Sequence, residues 1–278
     1  VKATYEYMRH SINFVDENYT EISKKIMEEF TNYLPKKKYT IRWKLDSTKY
    51  SFIDFKGYEA GKKPSEISGK PRLFYDRNKP FTRKVKFFDT YKADKEIIIP
   101  TYYVIPKSEG KIIENLKRNQ IKFKELQSDS LITVESYKIV DFKTVKNPYE
   151  GHYLHFDTQV SSELKTKKFR KGDYLVSTKQ SGVKFLLETL EPEAVDSYFN
   201  WNEFDGILGQ KEYFSDYVFE DTAAELLKTN KALKTAFELK KASDAKFAED
   251  GAAQLDWVYK NSEYYEGSVN QYPIYRIR

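Results

Sequence analysis

Three histidines, His10, His152 and His155, are the only imidazoles in the chain, and none is followed three residues later by glutamate. A carboxypeptidase-type zinc site needs His-x-x-Glu, a distant third His and a glutamate base to take a proton from metal-bound water. His-Glu-x-x-His is absent as well. His152-Tyr-Leu-His155 is the one histidine pair and supplies the only candidates for metal ligation. On a helix that spacing gathers both rings on one face; the neighbouring residues alternate as a strand, which sends them to opposite faces. His10, between Arg9 and Ser11, reads as a surface histidine.

Other chemistries fail on equally simple grounds. With no Cys there is no thiol nucleophile, disulfide or thiolate-held metal. Gly57-Tyr-Glu-Ala-Gly61-Lys62-Lys63 is one residue short of a phosphate loop and lacks its final hydroxyl. No Gly-x-Ser-x-Gly elbow occurs. Among 42 carboxylates, sequence selects no catalytic pair. The run Lys165-Thr-Lys167-Lys168-Phe169-Arg170-Lys171 has the make-up of a polyanion track, and is expected instead at a solvated hairpin tip. Tyr198-Phe-Asn200-Trp201-Asn202-Glu-Phe204 packs four rings and two amides into seven residues. Tyr198, Asn200, Trp201 and Asn202 are therefore candidate ligand-binding residues, since a sugar or peptide pocket needs rings beside amides. A core lining with polar anchors needs the same residues, and is the preferred reading.

The elements that must position these residues follow from periodicity. Val1, Tyr5, Met8, Ile12, Val15, Tyr19, Ile22, Ile26, Phe30 and Tyr33 recur at steps of three or four, the stripe of one helix over 1–34. A break near Asn18–Thr20 is allowed, and Pro35 with Lys36–Lys38 ends the pattern. Over 35–178 the period falls to two. Strands are expected at Thr40–Leu45, Phe52–Phe55, Val85–Phe87, Ile97–Ile105, Ile121–Leu126, Leu131–Phe142, Tyr153–Phe156 and Tyr174–Ser177, with a short helix at Gly110–Arg118. Pro100 and Pro106 belong at strand ends. Over 179–278 helices return at 183–190, 221–228, 231–242 and 251–260, with Asp221 and Asn230 as N-caps, and Tyr272–Ile277 closes the chain as a strand. The fold class is α+β: a long N-terminal helix, an antiparallel, sandwich-like β-rich middle and a helical C-terminal region.

Composition agrees. The chain has 278 residues, 40% hydrophobic and 16% aromatic, enough to bury a sizeable core. Net charge is +6; residues 193–278 carry 10 basic and 16 acidic residues, so residues 1–192 hold a net +12. A diffuse positive charge favours anionic partners, although a solvated lysine-rich surface is the simpler reading and no nucleic acid is expected. No apolar run approaches the roughly 18 residues of a membrane helix.

Three longer strings resemble a known family: Asp196-Ser-Tyr-Phe-Asn-Trp-Asn-Glu-Phe-Asp-Gly-Ile-Leu208, Glu212-Tyr-Phe-Ser-Asp-Tyr-Val-Phe-Glu-Asp-Thr-Ala-Ala-Glu-Leu-Leu227 and Asp250-Gly-Ala-Ala-Gln-Leu-Asp-Trp-Val-Tyr259. With Pro80-Phe-Thr-Arg83, Phe88-Asp-Thr-Tyr91 and the opening Val1–Met8, they are similar to the C-terminal region of bacterial multidomain zinc carboxypeptidases, of the carboxypeptidase A-like family. The resemblance implies that Val1 begins just after the last catalytic residue, in the final helix of a catalytic domain. No catalytic residue carries over, no cofactor is expected in this chain, and zinc is implied for the longer parent. It also implies an upstream catalytic domain as partner and an extracytoplasmic location. Self-association through helix 1–34 is the other expected contact. The rival reading is a carbohydrate- or cell-wall-binding module, marked by exposed rings at Trp43, Trp201 or Trp257; an enzyme built on His152 lacks partner residues.

Overall fold

A computed structural model describes residues 1–33 and 37–278, so the expected helix stop at Pro35 and Lys36 lies outside the described residues. The fold is α+β, with a long N-terminal helix, antiparallel sheets, helices in the C-terminal half and a closing strand. It divides into two compact units, Lys36–Ile98 and the remainder, Val1–Pro35 with Ile99–Arg278. The β-rich stretch expected over 35–178 is thereby shared between them. No helix of the described residues is long and apolar enough to cross a membrane.

Helix α1 (Lys2–Tyr33) runs unbroken through Asn18, whose side-chain amide donates to the Phe14 carbonyl one turn back at 2.8 Å. Tyr5, Met8, Ile12, Val15, Tyr19 and Ile26 of its apolar stripe are exposed, and Ile22 is half-buried.

The 36–98 unit is a ribbon. Strand β1 (Lys38–Leu45) pairs antiparallel with β4 (Tyr91–Ile98), and β2 (Ser51–Pro64) pairs with β3 (Pro71–Phe87). The Asp46 N–H donates to the Thr90 carbonyl at 2.8 Å, tying the two ladders end to end. Asp46 also accepts from the Thr48 hydroxyl at 2.6 Å, which shapes the turn between β1 and β2. Gly57 faces Phe81 across the ladder, and a Cβ there would lie 2.7 Å from the ring. Prolines 64, 71 and 80 are tolerated because each strand of a two-stranded ribbon has a free edge.

The larger unit contains a six-stranded antiparallel sheet. Its strands are β5 (Tyr102–Ile105), β6 (Lys124–Glu125), β7 (Ser130–Thr144), β8 (His155–Phe169), β9 (Tyr174–Ser177) and β10 (Gln271–Ile277), in the order β6-β9-β5-β10-β7-β8. Pro100 separates β4 from β5, so the expected run 97–105 is two strands. The strand expected at 153–156 extends to Phe169, because β7 offers a full ladder that pairs Leu131 with Lys168 and Thr133 with Thr166. Lys165–Phe169 therefore lies in a strand rather than at a hairpin tip. Helix α2 (Gly110–Arg118) buries Ile112, Ile113 and Leu116, and α3 (Val183–Leu190) buries Val183, Leu186, Leu187 and Leu190, the apolar sets their periodicity predicts.

Beyond a 3-10 turn at Asp205–Ile207 come α4 (Asp216–Thr229), α5 (Lys231–Ser243), α6 (Ala245–Glu249) and α7 (Gly251–Lys260). They enclose Phe219, Leu233, Phe237, Phe247, Leu255 and Tyr259. Asn230, Asp244 and Asp250 accept backbone N–H bonds from Leu233, Phe247 and Ala253, capping three helices in succession. Asp221, expected as a cap, lies inside α4; that helix starts a turn and a half earlier, which brings Phe219 into the core beside Phe214.

The last strand is held by charge. Arg276 of β10, 3% exposed, lies opposite Glu135 of β7 and donates to its carboxylate at 2.6 Å. On its other side Arg276 Nε is 3.0 Å from Glu191, just past α3. Glu191 also accepts from the Tyr103 hydroxyl at 2.5 Å, and Arg276 donates to the Tyr137 hydroxyl. Burial holds the Glu191 carboxyl above its ordinary range despite the guanidinium, and pushes the Tyr103 hydroxyl far up. Removing the cation leaves the buried Glu191 carboxylate without its ion-pair partner, while Glu135 keeps only Arg278. Arg276→Met is expected to cost about 3–5 kcal/mol at pH 7, read from the urea midpoint. The loss should shrink at pH 4, where protonation of Glu191, whose carboxyl burial already raises, removes the uncompensated charge.

Candidate functional site

The residues singled out from sequence meet at one place, where the β7–β8 connection reaches the aromatic loop 196–208. Between Tyr149 and His152, which exchange two backbone hydrogen bonds, Glu150 and Gly151 both take positive φ (49° and 85°). This is a two-residue turn whose handedness matches strand twist, and it delivers His152 to the loop. His152 Nδ1 lies 2.9 Å from the Trp201 carbonyl and 2.8 Å from Asn202 Oδ1. Two acceptors facing one nitrogen place the proton there. Asn202 itself takes φ 50°, a conformation its side chain tolerates better than most.

His155 is buried, with Phe142 and Phe199 ring centres 4.7 and 5.0 Å away. Its backbone N–H donates to the Asn200 carbonyl at 2.7 Å. Its Nε2 meets Asp205 Oδ1 at 2.9 Å, and Nδ1 meets the Thr144 hydroxyl at 2.9 Å. A carboxylate only accepts, so Nε2–H donates to Asp205, and Nδ1 is left to the Thr144 hydroxyl. Thr144 lies directly across the β7–β8 ladder from His155.

Hydroxyl, imidazole and carboxylate in series are the components of an activated nucleophile. Here the ring is sealed between two phenyl groups. Three clefts, between α4, α5 and α7, on the ribbon around Lys56–Tyr58, and between residues 106–109 and the end of β8, are lined by other residues. The arrangement works as a staple, fixing loop 196–208 to the end of the β7–β8 pair.

The amide candidates are used in the same way. Asn200 accepts from the Thr158 hydroxyl at 2.7 Å and donates to the Ala194 carbonyl at 2.7 Å, with 6% exposure. Tyr198 is buried beside Phe204, and burial pushes its hydroxyl up to about 12. Trp201 is half-buried against His152 and Tyr149. These residues do not fit a zinc centre: both His155 nitrogens and His152 Nδ1 are committed to protein partners. Among the described residues no cluster of three or more His, Asp or Glu is gathered for a metal ion. Thr144, Thr158 and Asp205 are the members sequence reasoning missed, and no local pattern marks them.

The Lys165–Lys171 run is largely compensated. Lys165 pairs with Glu163, Lys168 and Arg170 pair with Asp129, and Lys167 lies over the Tyr275 ring. The Lys171 N–H, Arg170 and Lys168 together hold the Asp129 carboxyl down to about 2.

His155→Ala removes two side-chain hydrogen bonds and leaves a void between two rings. It should lower stability by roughly 2–4 kcal/mol in a thermal melt, and Asp205→Asn by about 1 kcal/mol. An unchanged melting temperature in His155→Ala would show that the staple carries no load. No protein-family model, curated protein or solved structure matches this chain.

Proposed function

We propose that the chain is a non-catalytic C-terminal portion of a zinc metallocarboxypeptidase-like protein, supporting the catalytic domain or shaping access to it. The parent would remove C-terminal residues from peptides, with zinc activating water and a glutamate taking the proton. The observation that carries the reading is α1. Its 32 residues present an apolar stripe from Tyr5 to Ile26 that remains largely exposed in this chain. A helix with such a stripe is stabilised by packing that face on another surface, not by intrinsic propensity. An upstream domain supplies that surface. The string resemblance supports the same assignment.

Two measurements test it. Elemental zinc and C-terminal peptide hydrolysis on the purified 278-residue chain should give no stoichiometric metal and no turnover; one zinc per chain with turnover overturns the proposal. Ile12→Asp with Ile26→Asp should leave the stability of the isolated chain within about 0.5 kcal/mol, as exposed positions do, yet destabilise the protein joined to its upstream domain by several-fold more. Equal small effects in both contexts would remove α1 from the interface. A concentration-dependent dimer abolished by the same pair would assign the stripe to a second copy instead.

A further inference from the structure

The excess positive charge of the chain is concentrated in the ribbon. Residues 36–98 hold 18 basic and eight acidic side chains, a net of +10, against +6 for the whole chain, so the rest is net −4. Much of this charge is uncompensated. Among the described residues Lys56, Lys62, Lys63, Lys70, Lys84 and Lys86 form no ion pair, and only Lys63 and Lys86 of them lie over a ring, Phe74 and Tyr50. Residues directly opposite on an antiparallel ladder share a face. Pairing of Phe52 with Lys86, Asp54 with Lys84, Lys56 with Thr82 and Tyr58 with Pro80 therefore gathers three lysines and two rings, with one aspartate, on one face. Phe52 is 61% exposed, Tyr58 46%, and Trp43 on β1 is 58% exposed. At the register shift after Tyr58 the ribbon is indented by a cleft of about 440 Å³, lined by Lys56, Gly57, Tyr58, Pro80, Phe81 and Thr82.

We propose that this ribbon, Lys38–Ile98, binds an acidic polysaccharide, its lysines pairing with carboxylates or phosphates and its exposed rings lying on sugar faces. Three features select that class. The charge is spread along the ribbon instead of gathered at its tip, which suits a chain and not a lipid surface. Its density is low: β1 and β2 together run for 8 and 14 residues, roughly 73 Å of strand at about 3.3 Å per residue. That is one net cation in roughly 7 Å, far sparser than the one charge per ~1.7 Å of duplex DNA. The cations are mostly lysines, point charges without the planar fork that reads phosphates and base edges bidentately. Two of the arginines, Arg42 and Arg83, are already paired with Asp94 and Glu59. The proposal is independent of the peptidase reading, because it concerns the 36–98 unit alone.

The test uses the whole 278-residue chain with polygalacturonate, followed by calorimetry and by tryptophan emission. Fully methyl-esterified polygalacturonate serves as the uncharged match, and a 30-nucleotide single strand and a 30-base-pair duplex as nucleic-acid arms. Saturable binding to the acid polymer is expected at 50 mM salt, weakening steeply as salt rises, and at least tenfold weaker for the ester. Two exposed-lysine variants, K56Q/K84Q/K86Q and K62Q/K63Q/K70Q, should each weaken binding at least fivefold while melting like the parent. Should one of them misfold, the other still reads the ribbon. Trp43→Phe should abolish the binding-dependent change in emission. No binding to the acid polymer, or binding unchanged in the folded variants, overturns the proposal. Tighter binding to either nucleic acid than to the acid polymer also overturns it, and assigns the ribbon to that class instead.

Discussion

One buried guanidinium decides how the larger unit is assembled. Arg276 is out of water, and so are the two carboxylates it serves, Glu135 on β7 and Glu191 beyond α3. Each ion alone would cost several kcal/mol to bury, and the cost is offset only when all three meet with their tyrosine hydroxyls. That requirement fixes the register of β10. A slip of one residue would turn Arg276 to the opposite face of the sheet and strand the carboxylates. Hydrophobic burial on both sides, at Tyr103, Val104, Tyr272 and Ile274, gives the sheet its stability but would tolerate neighbouring registers far better than the ion cluster does.

From that strand outward the design is a chain of attachments. β10 joins β5 to β7, β7 carries β8, and the start of β8 carries the His155 staple that fixes the aromatic loop. The loop then leads into α4–α7, which have a separate core of their own. Loop 196–208 is thus anchored for a reason unrelated to ligand binding: Ser197 and Asn200 bond groups inside the fold, and Asp205 and Asn202 hold the two histidines. The 36–98 ribbon follows the opposite logic. It buries few side chains, and its rings and lysines face solvent.

What the sequence reveals follows from where each signal is stored. α2, α3, α5 and β10 are legible to within a residue or so, because an apolar period and, for α5, an Asn cap are local features. The second half of β8 is not, since Glu163–Lys168 is polar on both faces and its strand character comes from pairing with β7. α6 spans only five residues, too few to show a period. The gathering of His152, His155 and the 198–202 residues was not predictable either: the contacts span some fifty positions, and Asp205 and Thr144 look like ordinary surface residues until the loop closes. Buried Glu135, Glu191 and Arg276 mislead in the same way, because charge in a sequence reads as surface.

The position of β10 also bears on how the protein is made. Synthesis runs from the N-terminus, so the strand that sits inside the sheet emerges after its five partner strands. Until residues 271–277 emerge, β6-β9-β5 and β7-β8 are two separate fragments, each with an open backbone edge where β10 belongs. A chain that ends at Asn270 is left in that state permanently, with Glu135 and Glu191 facing a vacant slot. Emergence of β10 is therefore the checkpoint for this sheet, and termination before it yields a sticky product instead of a slightly shorter one.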